Sequence, residues 1–218
     1  MLSDIIILIM EWIGTVSFAV SGALVAIGCS LDIFGVITVG CITAVGGGII
    51  RDIILGNVPP KIFENPLILL VAVITSVLVF VIAYIFRKKF KAFSAATNSY
   101  NVFFDALGLA AFSITGVETV CISDHASNAL LAITLGVLTG VGGGILRDIL
   151  VNEKPYVLTK HIYAVVSVFS CCVYYLLSVR YNHKIIATFF VLIFTVLIRL
   201  LAARFRWGLP KINIDNNK

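Results

Sequence analysis

The sequence predicts an all-α membrane protein of seven transmembrane helices, built as two inverted three-helix repeats plus a seventh helix, with the second and fifth helices broken at a glycine triplet. Three observations carry this expectation. The 218-residue chain is 60% hydrophobic and 12% charged, with a mean hydropathy of +1.09, whereas soluble domains hold roughly 25% charged residues. A bilayer core takes roughly 20 apolar residues at 1.5 Å each, and runs of about that length recur seven times. Finally, VGGGIIRDII at 45–54 returns as VGGGILRDIL at 141–150, changed only by two Ile-to-Leu exchanges.

The expected spans are 5–27, 33–55, 67–86, 101–121, 127–150, 161–179 and 185–203. The third, LILLVAVITSVLVFVIAYIF, holds no charge and is the cleanest, while the glycine-bearing second and fifth are the least regular. The opening MLSD lacks the positive region of a cleaved signal peptide, and Glu11 interrupts the apolar run early, so the first helix is expected to remain.

EWIGTVSFAVSG at 11–22 matches DALGLAAFSITG at 105–116, which aligns Glu11 with Asp105, Gly14 with Gly108, Phe18 with Phe112 and Gly22 with Gly116. The repeats divide the chain as 1–91 and 92–180, with the seventh helix and a tail at 181–218, all within one integral membrane domain. An odd number of helices per repeat sets the two copies antiparallel, the plan of many transport proteins whose path lies at the repeat interface. The seventh helix covers a flank or makes subunit contacts.

The net charge is +5, but its distribution argues against nucleic acid. Assigning alternate loops to two sides leaves 4 of the 16 basic residues on one side and 12 on the other, among them RKKFK at 87–91, Arg199, Arg204 and Arg206. The positive-inside rule then places the N-terminus outside and the C-terminus in the cytoplasm. The basic excess reports orientation and contact with anionic membrane lipids. Cys29, Cys41, Cys121, Cys171 and Cys172 lie in or at the ends of apolar spans without C-x-x-C spacing, and His125, His161 and His183 fall in separate loops. Neither set suggests a metal or a cofactor.

Glycines in a helix interior cost roughly 1 kcal/mol each relative to alanine. A kink or unwound turn is therefore expected at Gly46, Gly47 and Gly48 and at Gly142, Gly143 and Gly144. Carbonyls freed there must find partners and are ready cation ligands where they face a wet path. The alternative is packing: Gly40, Ala44 and Gly48, like Gly136, Gly140 and Gly144, form small-residue stripes that let helices approach. Stripes explain one glycine of each triplet and leave Gly46, Gly47, Gly142 and Gly143 to the break.

Arg51 and Asp52 fall near one membrane face, Arg147 and Asp148 near the other, as candidate pore-mouth charges, with snorkelling arginines as the alternative. Because adjacent helix residues do not face each other, each is expected to find partners on other helices or in water. Glu11, Ser17, Ser21, Asp105, Ser113, Thr115 and Glu118 give the first and fourth spans a polar face that suits pore lining. Hydroxyls in such helices also bond their own backbone. No phosphate loop, Ser-His-Asp set or metal spacing is present, and Asp52 and Asp148 are too far apart for a protease dyad, so the sequence does not read as an enzyme.

With GGGIIRDIILGNVPP and GGGILRDILVNEKP set in two three-helix repeats, nearly the whole chain resembles the bacterial branch of the trimeric intracellular cation (TRIC) channel family, also known under a glycine-transporter domain name. The resemblance implies a homotrimer with one pore per subunit that conducts monovalent cations, chiefly potassium, along the kinked second and fifth helices. By position, the six triplet glycines match the kink residues, and Arg51, Asp52, Arg147 and Asp148 match the motif's charges. Animal members bind a phosphoinositide through basic residues of the fourth helix. Residues 101–121 hold no Lys or Arg, so that property is not carried over. The rival expectation is a secondary transporter of glycine or another small zwitterion, and a purely structural membrane scaffold is the third.

Overall fold

Polar caps and left-handed residues mark where the apolar spans turn. The structure, a computed structural model, describes residues 2–86, 94–159, 162–181 and 183–208. The basic run 87–91, His161 and the tail beyond 208 lie outside the described residues. Helix α1 covers Leu2–Gly28 and α2 covers Ile33–Ile54, followed by the single turn α3, Lys61–Glu64, and by α4, Leu67–Ile85. The second copy repeats this order: α5 is Ser94–Cys121, α6 is Ala129–Leu150, and the turn α7, Tyr156–Thr159, leads to α8, Tyr163–Tyr175. A π-helical turn, Leu176–Arg180, extends α8, and α9, Lys184–Arg204, ends the described fold. Six of these helices are long and apolar enough to cross a membrane, and the seventh crossing is the shorter apolar helix Tyr163–Val179.

Matching local chemistry builds both copies. Asp32 starts α2 by accepting from Gly35 N at 2.7 Å, and Asn128 starts α6 by accepting from Leu131 N at 3.0 Å, each satisfying a backbone donor that the first turn leaves free. Gly56 at φ 77° and Asn152 at φ 58° lie just past the C-termini of these helices in the left-handed conformation, where a residue without a bulky Cβ branch ends a helix at least cost.

The copies meet antiparallel. Phe18 lies over Gly108 and Phe112 over Gly14, so α1 and α5 run in opposite directions, and the two rings stand 5.2 Å apart at 55°. A Cβ on Gly14 would come within 2.9 Å of the Phe112 ring, and one on Gly108 within 2.5 Å of Phe18 Cε1. Each phenylalanine therefore fills the notch left by the other copy's glycine. Burial ranks the helices: 72% of the apolar window of α5 is inside the protein against 17% for α4, so α5 is central and α4 presents most of its surface to its surroundings.

Helices α2 and α6 cross at the glycine triplets, and neither is interrupted there. The expected unwound turn, and with it the freed carbonyls as cation ligands, is corrected. A Cβ on Gly47 would overlap the carbonyl of Thr139, a Cβ on Gly143 would overlap the carbonyl of Thr43, and a Cβ on Gly142 would lie 3.3 Å from Gly47 Cα. The glycines offset their helix propensity cost by letting two backbones touch, the close approach that drives association where lipid is as apolar as leucine. Gly46 accommodates Leu146 from the other copy, with its missing Cβ only 2.5 Å from Leu146 Cδ1. At Gly48, by contrast, the nearest atom to an added Cβ is Arg51 Nη2 at 3.8 Å.

Gly47→Ala and Gly143→Ala are expected to destabilise the protein by about 1–3 kcal/mol each, seen as a lower thermal midpoint in detergent. Gly48→Ala meets open space and gains helix propensity, so its midpoint should hold or rise.

Candidate functional site

The last turns of α2 and α6 bury their charged residues. Arg51 curls back to donate from Nε at 2.9 Å and Nη2 at 2.7 Å to Asp52 Oδ1, and Arg147 Nε donates to Asp148 Oδ1 at 2.8 Å. The neighbours thus pair with each other, contrary to expectation. The facing rule concerns Cβ directions, and a long arginine stem reaches around the helix where a short side chain does not. The other aspartate oxygens cap the next turns of chain: Asp52 Oδ2 accepts from Lys61 N at 3.1 Å and Asp148 Oδ2 from Tyr156 N at 2.8 Å.

In the second copy this pair grows into a buried network. Arg147 Nη1 donates to Asp105 Oδ1 at 2.8 Å and to Ser21 Oγ at 2.6 Å, and Ser21 in turn donates to Asn101 Oδ1 at 2.7 Å. Arg199 of α9 donates from Nη2 to Asp105 Oδ2 at 3.3 Å, and its guanidinium lies 4.2 Å above the centre of the Tyr163 ring. Arg147, Asp148, Asp105, Arg199 and Tyr163 are all buried. Two arginines and two aspartates sum to zero, the condition under which charges tolerate removal from water. Among the described residues, Arg147 Nη2, Tyr163 Oη and Arg199 Nε have no hydrogen-bond partner. The first two lie 3.9 Å and 3.3 Å from the position a Cβ on Gly144 would take.

The first copy leaves the corresponding place open. A small cleft open to solvent is lined by Glu11, Thr15, Gly48, Arg51, Asp52 and Lys61, with Ile68 and Phe112 as its apolar wall. Ile68, near the start of α4, stands where Tyr163 stands at the start of α8. Among the described residues, no arginine of a further helix pairs with Glu11. Among the described residues, the Glu11 carboxylate makes no hydrogen bond or ion pair.

Of the residues expected to line a path, only Glu11 faces the cleft. Ser21 and Asp105 belong to the buried network, and Ser17 is buried in α1. Ser113 ties α5 to α8 through Ser167 at 2.9 Å, and Thr115 bonds its own helix at the Phe112 carbonyl, 3.4 Å away. Glu118 accepts from Tyr174 at 3.1 Å and from Lys184 at 2.5 Å, holding the start of α9. The triplet glycines divide by role: Gly47 and Gly143 make the crossing, Gly46 and Gly142 face the opposing helix, and Gly48 and Gly144 face the charges. Sequence reasoning missed Arg199, Tyr163, Asn101 and Lys184 as partners. Arg199 left a signal, a charge four residues inside the expected span 185–203.

Asp105→Asn leaves Arg147 with Asp148 alone and Arg199 without its carboxylate, one unbalanced buried positive charge that is expected to cost about 3–5 kcal/mol. Glu11→Gln, at the equivalent position but unpaired and partly exposed, should shift stability by no more than about 0.5 kcal/mol. Parallel unfolding curves in detergent compare the two.

The geometry finds its counterpart in known proteins. A family model described as Glycine transporter matches residues 8–84 and 102–179, one stretch in each copy. The UPF0126 inner membrane protein YadS of Escherichia coli K12 is 37% identical over 212 residues, which cover 95% of this chain and 97% of YadS. The TRIC trimeric intracellular cation channel orthologue from Rhodobacter sphaeroides shares the fold with a TM-score of 0.81 at 30% identity, covering 92% of this chain and 98% of that one. A prokaryotic TRIC channel solved in 0.5 M KCl gives 0.83 at 33% identity, covering 94% and 100%. Matched in both repeats and along nearly its whole length, this membrane protein belongs to the TRIC family, the one that the glycine-transporter model describes.

Proposed function

We propose that the chain is a monovalent cation channel, permeable to potassium, with one pore in each subunit of a homotrimer. The observation that carries the reading is the charged cleft at the end of α2, set in a fold shared over more than nine-tenths of the chain with solved cation channels. Ions enter at the cleft and follow the seam of α2 and α6 past their glycine crossing, lined by side chains, since the helix carbonyls stay in their own hydrogen bonds. At the far end Tyr163 and Arg199 fill the corresponding place, so this conformation is a closed one. The N-terminus lies outside the cytoplasmic membrane and the C-terminus inside, with the basic excess against anionic lipid.

Asp52 keeps the mouth from repelling cations by neutralising Arg51. Its replacement leaves an unbalanced positive charge, which lowers the local cation concentration.

One observation favours a second reading, transport of a small zwitterion such as glycine: Glu11 and Lys61 place opposite charges in one cleft, matched to an ammonium and a carboxylate. Potassium flux from liposomes separates the two. A channel gives flux that follows the electrical driving force and ignores added glycine; a transporter gives saturable glycine uptake and no such flux. Asp52→Asn is expected to lower potassium flux several-fold while the protein elutes as the same oligomer. Unchanged flux would remove Asp52 from the pathway.

A further inference from the structure

Glu11 and Asp105 hold equivalent positions in the two copies, but their surroundings differ in charge. Asp105 is 1% exposed and spends both oxygens on arginines, Arg147 at 2.8 Å and Arg199 at 3.3 Å. The second of these arginines comes from α9, which lies outside the repeat and supplies no counterpart to the first copy. Asp105 therefore offers no net charge to anything that passes.

Glu11 has no such partner among the described residues. Arg51, which shares the cleft with it, is held through two nitrogens by Asp52, and that pair sums to zero. The remaining fixed charges of the cleft are Glu11 and Lys61. They do not cancel. The Lys61 residue is exposed to solvent, where its ammonium is screened within a Debye length, whereas Glu11 is partly buried against the apolar wall of Ile68 and Phe112. A low-dielectric wall focuses the field of the charge beside it into the opening.

We propose that Glu11 is the residue that sets cation over anion preference, acting from the open end alone, and that Lys61 opposes it. This rests on the channel reading. Glu11 needs no direct ion ligation for the role; it raises cation concentration at the entrance, an effect of tenfold or more in charge-lined clefts.

Reversal potentials of the purified protein in planar bilayers under a KCl gradient test it. Glu11→Gln should lower the potassium-to-chloride permeability ratio by about threefold or more while current persists, Glu11→Asp should keep the wild-type ratio, and Lys61→Gln should raise it. Opposite shifts from two residues in one cleft are not expected of a packing role. An unchanged ratio in Glu11→Gln overturns the proposal and leaves the channel reading intact, as does a Lys61→Gln ratio that stays or falls. If Glu11→Gln carries no current, Glu11→Asp decides: current at the wild-type ratio supports the charge role, and no current in either overturns it. A wild-type bilayer without potassium current overturns the channel reading itself.

Discussion

Contact between two helix backbones fixes the centre of this protein. Where α2 crosses α6, Gly47 lies against the Thr139 carbonyl and Gly143 against the Thr43 carbonyl, a separation that no other residue permits. The crossing sets how close the two copies come, and everything charged is arranged from there. The Arg-Asp pairs sit about one turn beyond it in opposite directions, so each copy carries its charges away from the apolar middle. In α1 and α5 the same logic acts through Phe18 and Phe112, each seated on the other copy's glycine. Small residues here do the joining that the hydrophobic effect does in water.

This nearly symmetric frame carries charges that are arranged asymmetrically. α9 has no partner in the repeat, and through Arg199 it turns one Arg-Asp pair into a neutral four-charge network closed by Tyr163. At the other end Ile68 stands in the tyrosine's place, and the result is a cleft. The seventh helix is thus more than a cover for the core. It decides which of two similar ends is filled and which is open, and Glu118 with Lys184 fixes where it begins.

Much of the fold was legible in the sequence because each contributing signal is local. Run length gave seven spans that match the observed helices to within a few residues, except that the fourth begins at Ser94 rather than 101, and the matched segments around Gly14 and Gly108 gave the inverted repeat. The site was less legible. Glycine triplets read as helix breakers when only propensity is considered, because the compensation, a backbone from residues nearly a hundred positions away, is invisible in a linear chain. Separation in sequence also hid the partners of Asp105, which lie 42 and 94 positions away. Side-chain length was the other blind spot: a rule about adjacent Cβ directions excluded the Arg51–Asp52 contact that the arginine stem makes possible. Of the proposed lining hydroxyls, Thr115 bonds its own helix, Ser113 meets Ser167 and Ser21 joins the Arg147 network, leaving Glu11 in the cleft.

The aspartates at the ends of α2 and α6 each hold the connecting segment beyond the helix by a main-chain amide, Lys61 N in one copy and Tyr156 N in the other. An anchor of that kind is blind to the side chain at the anchored position. If the two copies descend from one duplicated segment, this position could change without loosening the loop, and it did: one copy points an ammonium at its cleft, and the other lays an aromatic ring 5.4 Å from the Arg147 guanidinium. On that history, divergence between the two ends of the molecule was separated from the demands of folding, and the two copies were free to acquire ends of different chemistry.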